Sequence, residues 1–66
     1  MNIPGLSTNG ILLLHKTIAN ALREDDRHQA PDKLYGVREF PDWRQEADDL
    51  EHELRKRNVD FKPIEW

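Results

Sequence analysis

The sequence predicts a mainly α chain in which two amphipathic helices pack as an antiparallel pair, with short extended or edge-strand segments near 34–39 and 59–64. Three observations carry this. Ile11, His15, Ile18 and Leu22 recur at spacings of 4, 3 and 4, and Trp43, Ala47, Leu50 and Leu54 repeat the same pattern. Such spacing lines one face of an α-helix. The segments after each run hold aromatic and β-branched residues but no helical period: Leu34 to Phe40 in the first, Val59 to Trp66 in the second.

The opening residues hold Pro4, Gly5, Ser7 and Thr8, which predict a flexible or edge segment over 1–8 leading to a helix start. Ser7 or Thr8 caps the first orphan amides. The first helix is expected over 9–24. Leu14, Ala21 and Leu22 widen its apolar face, Leu12 and Ala19 flank it, and Leu13 lies off the main stripe. A helix apolar on several sides needs more than one neighbour. Glu24, Asp25 and Asp26 carry the wrong sign for a helix C-terminus, so regular structure is expected to stop near Arg23. Residues 27–40 form a connection in which Pro31 disfavours helix at Ala30.

The second helix is expected over 41–58. Pro41 suits a first helical position. Asp42 and Glu46 near its start, with Arg55, Lys56 and Arg57 at its end, complement the helix dipole. Glu51–Arg55 and Glu53–Arg57 are favourable pairs four apart, and Asn58 is a left-handed stop. The tail 59–66 alternates at Val59 and Phe61, then meets Pro63, which restricts it to an edge strand or an extended run. Two arrangements fit. Either the helices pair and the extended pieces cover their seam, or 34–39 and 59–64 pair as parallel strands around the second helix. The helical pair is favoured, because a two-strand parallel sheet leaves its faces uncovered.

With 66 residues there is room for one domain. A folded monomer of this mass exposes about 4,400 Å², and the apolar burial this allows barely offsets the entropy of ordering the chain. Such a chain packs very well or borrows surface from a partner. There are no cysteines, so neither disulfides nor thiolate metal sites contribute. The longest apolar run, Ile11 to Leu14, is far too short for a bilayer, and no leader pattern opens the chain. The expectation is a soluble cytoplasmic protein without membrane contact. The formal net charge of -3 disfavours non-specific nucleic-acid binding.

No chemistry-bearing motif emerges. His15 lies in the apolar stripe and reads as a seam histidine bonded to the opposite segment. His28 sits among Asp25, Asp26 and Asp32 without a known ligand spacing. His52 lacks a second histidine four residues on, where Lys56 stands. Ser7, the only serine, is a cap, and Gly5, Gly10 and Gly36 are isolated. No catalytic residue, no cofactor and no metal are therefore expected, and the chain is read as no enzyme. The function class that remains is a small protein–protein interaction or self-associating module, its partner itself or another protein. Leu13, Tyr35, Phe61, Ile64 and Trp66 are the expected partner contacts, since exposed aromatic and aliphatic anchors supply much of the energy of interfaces. The alternative is a nucleic-acid-associated regulator using Arg55, Arg57 and Lys62. It requires these to join Arg44 in one contiguous basic surface.

Overall fold

The computed structural model describes residues 2–28 and 35–66. Two helices, α1 (Thr8–Asp26) and α2 (Pro41–Lys56), pack against each other, and no strand occurs among the described residues. The cross-helix bonds fix their sense. Arg57 reaches Thr8 and His15 reaches Glu51, so numbers fall along one segment as they rise along the other. Residues 59–66 run back along the pair without helical or strand structure, as a cover over the seam.

The seam is the one that the spacing predicts. Ile11, Ile18, Leu22, Ala47, Leu50 and Leu54 are all buried. Leu6, Leu12, Leu14, Trp43, Val59, Phe61, Ile64 and Trp66 close around it half-buried. A second cluster of Ala21, Leu22 and Val37 continues the core toward the connection and shares Trp43, Ile64 and Trp66.

The ends depart from expectation in three places. Residues 3–5, read as part of a flexible or edge segment, form a 3-10 turn that buries Ile3. Arg57 Nη2 donates to the Pro4 carbonyl at 3.1 Å and holds that turn to the C-terminal end of α2. Helix α1 does not stop near Arg23. It continues to Asp26 because its acidic residues are matched: Asp25 Oδ1 and Oδ2 accept the amides of Tyr35 (3.0 Å) and Val37 (2.8 Å), and Asp26 forms a two-pronged pair with Arg38. The unfavourable dipole interaction is outweighed by charge-assisted bonds. Helix α2 ends at Lys56, two residues early, with Asn58 left-handed at φ 58° as expected.

At the start of α1, Ser7 Oγ accepts the Gly10 amide at 3.0 Å, and at the start of α2 Pro41 is the first helical residue. Where residues 34–39 suggested a short strand, Gly36 at φ 67° opens a turn whose carbonyl accepts the amides of Glu39 and Phe40. The Phe40 ring lies over Gly36, so close that a Cβ there would stand 2.7 Å from Phe40 Cε2. Residues 29–34, including Pro31 and the first residue of that segment, lie outside the described residues.

Candidate interaction surface

The seam consumes the face of α1 that carries Ile11, His15, Ile18 and Leu22. It leaves a second flank, about a quarter-turn or more away, on which Leu13, Leu14, Thr17 and Asn20 follow one another. Leu13 is 66% exposed and Tyr35 46% exposed. The start of α2 projects Trp43 toward this flank. Together Leu14, Thr17, Ile18, Asp42, Trp43 and Glu46 line an almost wholly apolar groove of about 270 Å³. A second hollow, bordered by Arg23 and Glu24 as well as by Asn20, Ala21 and Tyr35, adjoins it, since Thr17 and Trp43 belong to both. Tyr35 stands edge-on to Trp43, with ring centroids 6.1 Å apart. Glu46 adds an unusual feature: its Oε1 is sealed from solvent and has no hydrogen-bond partner.

The five expected partner contacts therefore divide. Tyr35 borders the hollow beside the groove, and Leu13 stays exposed on α1. Phe61, Ile64 and Trp66 are drawn against the chain's own core. Their anchor is Glu51, a buried carboxylate. Glu51 Oε2 accepts both His15 Nε2 (2.8 Å) and the Ile64 amide (3.0 Å). The carboxylate can only accept, so Nε2 of His15 carries the proton. Phe61 meets the His15 ring edge-on at 5.5 Å, and the Arg55 guanidinium lies 5.4 Å from the Phe61 ring centre. Trp66 is held by Arg44 over its ring and by Arg38 Nη1 donating to its carbonyl. Burial pushes the Glu51 carboxyl up, but the bonds from His15 and Ile64 and the charges of His15 and Arg55 outweigh it. They hold Glu51 below the ordinary glutamate value.

The basic residues are dispersed. Arg55 and Arg57 lie two positions apart, about 200° around a helix. Arg55 turns to Phe61, and Arg57 is bound by Glu53 (2.8 Å), Thr8 and Pro4. Lys62 is exposed on the tail. Arg55 and Arg57 thus share no face. His28 and His52 are exposed, and among the described residues no group of three or more His, Asp or Glu side chains is placed to hold a metal ion. No helix among them is long and apolar enough to cross a membrane.

Sequence reasoning named Leu13 and Tyr35 but missed the groove beside them. Its signal was present in the side-by-side leucines, Leu13 and Leu14, which no single helical stripe accommodates. The spacing assigns Trp43 to the seam alone, whereas it also walls the groove. Comparison with known protein families, curated proteins and solved structures finds no match to this chain.

Proposed function

We propose that this chain is a small non-enzymatic interaction module that docks on a protein surface, another protein's or a second copy's, through the α1 flank. The observation that supports this most is an apolar groove at the margin of the seam, walled by Leu14 and Trp43, on a helix that also carries a largely exposed leucine, Leu13. Monomeric proteins keep large exposed apolar patches rare. The nucleic-acid reading is not carried forward, because Arg55 and Arg57 are turned apart and engaged.

Sedimentation equilibrium at micromolar and submicromolar concentrations, with co-purification of the untagged protein at native abundance, tests this. Leu13→Gln and Tyr35→Ser are expected to abolish the association; Leu13→Gln, at an exposed helical position, leaves the melting temperature nearly unchanged, whereas Tyr35→Ser also loses the ring contact with Trp43 and lowers it. Association that survives both substitutions, or a monomer that co-purifies with no partner, overturns the reading.

A further inference from the structure

We propose that residues 60–66 form a strap that lifts off the helix pair as a unit, pivoting just beyond Val59, with Glu51 as its clasp. This device stands apart from the α1 flank and does not depend on it. The strap is fastened differently from the rest of the fold. Among the described residues, no amide or carbonyl of 60–66 bonds to the backbone of another segment, whereas the Val59 amide still closes the end of α2 on the Leu54 carbonyl at 3.0 Å. No strap residue is fully buried. Phe61, Ile64 and Trp66 rest half-buried on the core. Two hollows border the strap: one of about 440 Å³ between Lys62–Glu65 and α1, the other of about 490 Å³ beside Trp66, Arg38 and Arg44.

Every charged group that moors the strap keeps another partner when it lifts. Glu51 Oε2 accepts the Ile64 amide, but the carboxylate also holds His15 of α1 at 2.8 Å and meets Arg55 of α2 at 3.5 Å. Arg38 donates to the Trp66 carbonyl, yet its two-pronged pair with Asp26 remains. The freed Ile64 amide and Trp66 carbonyl pass to water. Opening therefore leaves no buried polar group of the helix pair without a partner, and the large penalty of an orphaned group is avoided. What it gives up is the partial burial of three side chains and the ring contacts of Phe61 with His15 and Arg55 and of Trp66 with Arg44. The seam residues with no exposure, Ile11, Ala47, Leu50 and Leu54, all belong to the helices. Segments with few buried apolar contacts open below the free energy of global unfolding. Lifting the strap bares the part of the core that Ile64 and Trp66 cover.

Native-state hydrogen exchange of the ¹⁵N-labelled full chain tests this, with Ile64 reporting the strap and Ile18 and Leu54 the helix pair. The expected protection of the Ile64 amide is at least about tenfold below that of Ile18 and Leu54. Phe61→Ala and Trp66→Ala, on either side of Ile64, are each expected to speed its exchange about tenfold. Ser7→Ala removes the cap of α1. It is expected to speed Ile18 and Leu54 about fivefold and to leave Ile64 unchanged, because it weakens the strapped and unstrapped helix pair alike. If Ser7→Ala speeds all three amides equally, the strap unfolds only with the helices and the proposal is overturned. Equal protection of the three amides in the parent overturns it too. If either alanine variant on the strap leaves Ile64 unchanged, that amide is released by a local fluctuation, and a strap moving as a unit is refuted.

Discussion

At the residue scale, Asp25 and Glu51 show how one buried carboxylate organises backbone distant in sequence. Asp25 is fully buried and accepts two amides beyond the connection. Asp25→Ala leaves those amides without an acceptor and is expected to cost about 2–4 kcal/mol, read from urea denaturation; Asp25→Asn, keeping one oxygen, falls between. Glu51 makes stability depend on pH. Its folded value is depressed, so the folded state binds the proton less readily than the unfolded chain. Its contribution is full above the ordinary glutamate range of about 4.3 and fades as pH falls through the lower folded value. Urea midpoints between neutrality and pH 3 should therefore drop more steeply for the parent than for Glu51→Gln. Equal slopes would refute the assignment. Neither role was visible in the sequence. Asp25 reads as one of three acidic residues ending a helix, and only the path of the chain brings Val37 to it.

At the element scale, what was legible followed from local physics. The period of the apolar residues located both helices, Ser7 and Pro41 opened them, and Asn58 closed the second. What was not legible depended on contacts across the chain. The last turn of α1 survives because Arg38 and two loop amides neutralise its acidic end. The 3-10 turn at Ile3 is fixed by Arg57 from 53 positions away. The strand-like character of 34–39 yielded to Gly36, whose positive φ makes a turn instead. Gly36→Ala strains that turn and crowds Phe40; a loss of about 1–2 kcal/mol in thermal or urea unfolding is the expected outcome. Ser7→Ala should remove about 1 kcal/mol and raise amide exchange in the first turn of α1.

At the scale of the whole molecule, the narrow stability margin decides which changes are tolerated. A core in so small a chain supplies rarely more than about 3–5 kcal/mol. Leu50 and Leu54 are fully buried, and truncating either to Ala costs about 2–5 kcal/mol. Either variant is expected to lose its helical circular dichroism near body temperature. Retention of a cooperative melt at the parent temperature would contradict the packing described. Leu13 belongs to a different class, because it is largely exposed and its substitution should alter association and not the melt. One consequence reaches further. Asp25 accepts the amide of His28 through its backbone carbonyl and that of Tyr35 through its side chain. His28 and Tyr35 are therefore both moored to one residue of α1. Lengthening the chain between two such fixed points costs only about 0.6 kcal/mol of closure entropy per doubling. A reporter sequence spliced in between them would be carried by a chain that still closes its helix pair.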